Sequence, residues 1–271
     1  MRTTLVFGIV CVAALVSPAA AQQPAGQVKL TLAEAKARIA AGSVQSPADL
    51  KGVDLRGLDF SGVDFNGADL RGAHLAGARL SKANLLAADL TDADLSDADL
   101  RGANLDTSTL RRTNFQRANL EGASLFATIL DKADLRGANL ARTRIIGFLK
   151  DARLAGANLR DANIGADPGN QSMGVMRAQF GGADLTGADL TGANLFKADF
   201  SYAVLRNAKL AGADLSNSDL VQADFTGADL TGANLSKADV NGAVFRNVVG
   251  RDRIKGLDES RNRTKAIFDA H

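Results

Sequence analysis

Five residues recur along most of this chain: a small residue, Asp or Asn, a large apolar residue, then two small or polar ones. The clearest stretch is Ala88-Asp89-Leu90-Thr91-Asp92, Ala93-Asp94-Leu95-Ser96-Asp97, Ala98-Asp99-Leu100-Arg101-Gly102. Centred on the large residue, the units keep one frame from Leu50 to Ile145. They shift for Leu154, Leu159 and Ile164, then return as a second long run from Phe180 to Phe245. All 37 centres are Leu, Ile, Val or Phe, and 29 of the residues two places earlier are Ala, so side-chain volume is repeated as well as polarity. Repetition at a fixed period sets the fold before local propensity does.

A period of five suits neither a helix, with its 3.6-residue turn, nor a continuous strand, with its two-residue alternation. It suits a short extended segment followed by a corner. If the first three residues are extended, the Ala and the large centre, two apart, face the same side. The last two residues then turn. Gly fills the final position in succession at Gly52, Gly57, Gly62, Gly67, Gly72 and Gly77, and Gly is the residue that permits positive φ in a tight turn. Four corners close a square coil of twenty residues, with Ala and Leu inside and Asp, Asn and the corners outside. The spacing of Phe180 from Phe200, and of Phe225 from Phe245, is twenty. Each pair should therefore stack on one inner wall, whereas Phe60, Phe65 and Phe115 show no such spacing.

With these units the sequence resembles the pentapeptide-repeat family, whose motif is A(D/N)LXX, over residues 46–248. The resemblance implies an all-β solenoid, a right-handed quadrilateral β-helix. Its inward positions carry over onto Ala68 and Leu70, Ala73 and Leu75, and their equivalents. About nine coils at the ~4.8 Å strand spacing make a rod roughly 45 Å long.

The ends read differently. Residues 1–21 have the three parts of a secretory signal peptide: Arg2, an apolar stretch from Leu5 to Val16, and the small residues Ala19-Ala20-Ala21. That stretch is short of the ~20 residues of a spanning helix, so we expect no membrane span. Export to the periplasm or beyond is expected, with the mature chain starting at Gln22. The only cysteine, Cys11, lies inside this segment, so no disulfide is expected. Residues 22–45 read as a flexible lead followed by a capping helix over Thr31–Ala41. Thr31 and Glu34 have capping-box spacing, Gly42 stops the helix, and Leu32, Ala35 and Ile39 face the open first coil. Residues 249–271 read as a C-terminal cap, with a short helix over Leu257–Ala270 whose Ile267 and Phe268 touch the last coil. The alternative is a disordered basic tail.

The repeat breaks twice, near 146–152 and 165–177. Nine residues separate Ile145 from Leu154, and Gly147-Phe148-Leu149-Lys150 reads as a four-residue insertion. Sixteen separate Ile164 from Phe180. That gap contains the turn-forming run Asp167-Pro168-Gly169-Asn170-Gln171, with Met173 and Val175 as a degenerate unit.

Chemistry is sparse. Without Arg2, the chain carries 31 Lys and Arg against 30 Asp and Glu, a balance that fits neither a nucleic-acid binder nor a global mimic of DNA charge. His74 sits in a repeat and His271 at the terminus. No nucleophile-base set, phosphate loop or metal motif is present, so no catalytic, cofactor or metal residue is assigned and an enzyme is not expected. The ladder of Asp49, Asp69 and Asp89 offers oxygens to Ca²⁺, but such side chains more often accept local backbone hydrogen bonds. Outward positions are polar by default, so Leu86, Phe126, Ile129, Ile146 and Phe148 stand out as a candidate partner contact, with Asp106 breaking the column. A basic column of Lys51, Arg71 and Arg111, beside Arg112, reads as a solvated face. The expected function is a non-enzymatic exported scaffold or protein–protein interaction module of the cell envelope, engaging a protein partner or itself. The alternative is a DNA-mimicking gyrase-interacting protein, as in the quinolone-resistance branch of the resembled family.

Overall fold

The computed structural model describes residues 28–43, 45–166 and 176–269. The signal segment, the Asp167–Gln171 turn, Met173, Val175 and His271 lie outside them. Parallel pairing runs up four walls, most links joining a residue to the one twenty places on. The first wall climbs Asp49, Asp69, Asp89, Thr109, Ile129, Phe148, Gln179, Asp199, Asp219, Asp239 and Arg261. The second starts at Lys29 and Asp54, the third at Asp59 and the fourth at Asp64. This is a quadrilateral β-helix. The eleventh rung of the first wall, Arg261, comes from the tail that follows the repeats.

One unit explains the rest. The Leu70 N–H donates to Asp89 O at 2.8 Å, Asp69 N–H to Ala48 O at 3.0 Å, and Gly72 N–H to Thr91 O at 2.9 Å, all between coils. Ala73 N–H then donates to Leu70 O at 3.0 Å within the coil. That last bond closes a turn whose third residue, Gly72, has φ 64°, the mark of a type II turn. Where Gly is missing the same dihedral is kept, as at Lys82, Ala87 and Tyr202 with φ 56°, 56° and 58°. The backbone conformation is thus imposed by the coil and only eased by Gly.

The core is a continuous column of centres and Ala from Leu50 to Phe245. Phe180 stacks on Phe200 with centroids 4.8 Å apart, and Phe225 on Phe245 at 5.1 Å. Phe60 and Phe65 meet edge to face across a corner at 5.3 Å. Five positions that usually hold Ala carry hydroxyls instead. Ser108, Thr128, Thr143 and Ser218 each donate to the carbonyl three residues earlier, and Thr113 donates to Leu90 O. Among the described residues no buried side-chain N or O lacks a partner, which is why these polar atoms are tolerated inside.

The lower end is closed by α1 (Leu32–Ala41), capped by Thr31 and Glu34 in a full capping box and ended at Gly42. Ala35 is fully buried, and Leu32 and Ile39 pack on the core, as expected. No helix among the described residues is long and apolar enough to cross a membrane.

Two expectations are corrected. Gly147 to Lys150 is no insertion. Strands β1 (Ser124–Ile129) and β2 (Arg144–Phe148) pair in parallel with Ala127 skipped, so the upper coil is one residue short. Leu149 is a core centre, buried like its neighbours; the centres run Ile145, Leu149, Leu154, each above a centre of the coil below. Among its described residues the tail forms no α-helix either. It winds on through two 3₁₀ turns at Arg251–Arg253 and Arg263–Lys265 to β4 (Ile267–Phe268), which pairs with β3 (Val244–Phe245). Left-handed residues Gly250, Gly256 and Asn262, at φ 71°, 66° and 60°, set its corners and break any helix. Phe268 extends the aromatic stack onto Phe245 at 5.4 Å. The side chain of Ile267 is exposed instead.

Candidate functional site

The walls are polar by construction. Where a unit carries Asp or Asn, that side chain commonly accepts a hydrogen bond from the backbone N–H two residues on: Lys51 to Asp49, Ser61 to Asp59, Thr91 to Asp89, Ser96 to Asp94. Amides also link the coils. Asn84 donates to Asp64 at 2.8 Å, Asn104 to Asn84 at 3.2 Å, and Asn158 to Asn139 at 2.9 Å. An Asn above an Asp replaces like-charge repulsion with a donor. The Asp49, Asp69 and Asp89 ladder behaves the same way, because Asp69 is held by Arg71 at 2.6 Å and Lys51 at 3.2 Å. The Arg71 hydrogen bonds lower the Asp69 pKa to about 2. The Arg56 guanidinium does the same for Asp54, also to about 2. Among the described residues no group of three or more His, Cys, Asp or Glu is placed to hold a metal ion. The basic column is paired as well, Arg111 with Asp131 and Arg112 with Asp92. His74 stands half-buried in the second wall, between Asp54 and Asp94.

Against these polar walls the apolar candidates collect at one edge, the corner between the fourth and first walls. Phe126 is in register with Ile146, and Ile129 with Phe148, through the β1–β2 pairing. Phe126 is half-buried beneath the Arg144 guanidinium, 4.2 Å from the ring centroid, and its N–H donates to Asp106 at 2.9 Å. Ile129 is half-buried, and Phe148 is exposed at 45 %. Ile146 departs from expectation: only 1 % of it is exposed, because the shortened coil removes the corner that would have turned it outward. Leu86 is half-buried two coils below, behind Asp106, and the structure does not bring it to the others.

Both irregularities fall at this corner. The short coil crosses it from Ile145 to Leu149, and one coil higher the long gap crosses it from Ile164 to Phe180. Pairing across that gap links Asn163 to Asn194, and Ala166 N–H donates to Phe196 O at 2.8 Å. Half-buried Phe196 therefore belongs to the same edge. A count in twenties misses it, since this coil spans 31 residues from Asn163 to Asn194.

The family profile for pentapeptide repeats matches in eight copies, over residues 48–85, 88–125, 118–147, 176–212 and 208–247. Among solved structures, HetL is similar. It is a pentapeptide repeat protein involved in heterocyst differentiation regulation in the cyanobacterium Nostoc sp. strain PCC 7120. The identity is 28 % over 88 % of this chain and 94 % of that one, with TM-score 0.38. A pentapeptide repeat protein of the Arabidopsis thaliana thylakoid lumen is 41 % identical over 35 % of this chain and 66 % of that one, with TM-score 0.26. QnrB1, a plasmid-mediated fluoroquinolone resistance protein, is 16 % identical over 80 % of this chain and 89 % of that one, with TM-score 0.32. No curated protein matches significantly.

Proposed function

Because the chain belongs to the pentapeptide-repeat family, we propose that it acts without catalysis, as a stiff, right-handed scaffold that engages a protein partner at the corner between its fourth and first walls. One observation carries this reading. Phe126, Ile129, Phe148 and Phe196 gather at a single edge, while most other outward positions hold polar side chains tied to their own backbone or to the next coil. Apolar groups grouped on a rigid polar surface are what a contact with another protein needs. The same reading places the protein outside the cytosol, supported by the three-part segment ending at Ala21.

One preparation tests both parts. Expressed as the full chain and recovered from the envelope fraction, the protein should start at Gln22; retention of Leu5–Val16 refutes export. Phe126→Ser with Phe148→Ser should leave the β-sheet circular dichroism intact and abolish either self-association in sedimentation or retention of an envelope protein. Unchanged mass and binding in the double variant refute the contact.

A further inference from the structure

The corner between the first and second walls carries a hollow of about 390 Å³, lined by Lys150, Asp151, Gln179, Gly181, Gly182, Asp199, Ser201 and Tyr202. Its origin is readable in the backbone. Asp151 N–H donates to Gly181 O, and Gly182 N–H to Ser201 O, so three successive corners stack there. The middle one has no side chains. In no other unit of the two long runs are both corner residues Gly. The turn favours Gly at position 182, where φ is 69°. It does not require Gly181, which lies outside the left-handed region and whose Cβ would make only ordinary contact, 3.6 Å from Ser201 Oγ. Gly181 therefore leaves space that neither packing nor the backbone demands.

Above the hollow stands Tyr202, the chain's single tyrosine, 60 % exposed. It occupies a left-handed position at φ 58°, where a bulky residue is strained and Gly is favoured. The same left-handed corner is held by other non-Gly residues, Lys82 and Ala87 among them, so what sets Tyr202 apart is its exposed ring. Beside it, Gln179 and Asp199 are successive rungs of the first wall, above the exposed Phe148.

We propose that this hollow binds a neutral carbohydrate chain, one sugar ring lying on Tyr202 and its hydroxyls bonding to Asp151, Gln179, Asp199 and Ser201. A pyranose has an apolar C–H face matched to an aromatic ring. Its rim hydroxyls each donate and accept, matched to carboxylate acceptors, an amide that does both, and the Lys150 ammonium donor. Two carboxylates in the lining disfavour a polyanion. The Tyr202 ring is the only large apolar group of the lining, too little for a hydrophobic peptide. The volume falls within the range of small-ligand sites.

The chain has no tryptophan, so tyrosine emission reports on this hollow alone. Cellohexaose, maltohexaose and chitohexaose, with polyphosphate as the anionic comparison, are titrated against the full mature chain. At least one neutral hexasaccharide should give a saturable change below about 10 mM. Gly182→Asn sets a Cβ 2.8 Å from Asp151 Oδ1, so it pushes that carboxylate aside and fills the hollow with a residue that tolerates positive φ; it should weaken binding at least about tenfold while the melting temperature falls by no more than about 3 °C. Tyr202→Gly, followed by calorimetry, should bind no sugar yet melt at or above the parent temperature, since it relieves the strained dihedral. No saturable response to any of the three sugars, a response to polyphosphate alone, or sugar binding that survives both substitutions would each overturn the proposal.

Discussion

Two glycines of this chain do opposite jobs, and alanine at each measures them separately. At Gly72 the φ is 64° and a Cβ would meet no atom within 4 Å, so Gly72→Ala costs only the left-handed dihedral. That is about 1–2 kcal/mol, offset by about 0.4–1 kcal/mol from the less flexible unfolded chain, leaving about 1 kcal/mol. At Gly147 the dihedral is ordinary but the space is closed. A Cβ would run into the carbonyl oxygen of Thr128, and it would lie 2.8 Å from Thr128 Oγ1 and 3.1 Å from Thr128 N. Two of these are backbone atoms of β1 and cannot swing aside, so Gly147→Ala should cost about 3 kcal/mol, the upper end of ordinary overpacking. At about 2–4 °C per kcal/mol for a chain of this size, the melting temperatures should fall by about 3 °C and about 9 °C. Ala87→Gly, at φ 56°, should raise stability slightly. Thermal melts with parallel urea titrations of the three variants decide the matter. Equal losses at positions 72 and 147, or none at 147, would refute the one-residue deletion as the reason for this corner.

The assigned frame predicts that Leu95→Asp, which puts a carboxylate at a fully buried centre, costs several kcal/mol, while Ser96→Asn one residue on costs less than about 0.5 kcal/mol; similar urea midpoints for the two would sink it. Acid should weaken the fold through Asp54 and Asp69. Their folded pKa of about 2 lies below the ordinary 3.8, so their contribution is complete above pH 4 and is lost as pH falls through about 2. Urea midpoints should drop across that window, and Asp54→Asn, which keeps an acceptor for the Arg56 N–H, should flatten the drop; an unchanged slope would contradict the pairing with Arg56.

The capping helix was legible because Thr31, Glu34 and Gly42 are local signals, and a helix end is decided within a few residues. The Phe180–Phe200 and Phe225–Phe245 stacks were legible because the coil length of twenty follows from the repeat alone. The tail was not. Its bridged residues Val249, Lys255, Arg261 and Ile267 are six apart instead of five, so it drops out of the frame although its backbone pairs in the same way. Of the candidate contact residues, Phe126, Ile129 and Phe148 lie at one edge, whereas Ile146 turns inward and Phe196, outside the frame of twenty, joins them, because both depend on how the two breaks are bridged.

By itself the sequence determined the period, hence the square coil, the identity of the core column and the polar walls, since each unit repeats the same burial choice. It left the first break ambiguous for an arithmetical reason: nine residues from Ile145 to Leu154 are one unit plus four residues, or two units less one. Both give the same frame afterwards. Only the tertiary structure decided, by setting Leu149 into the column and Gly147 against the Thr128 backbone, because inward space one coil away, and not any local preference, selects which residue turns in. The same neighbour-to-neighbour stacking brought Phe196 to the edge beside the breaks and opened the hollow between Asp151 and Tyr202.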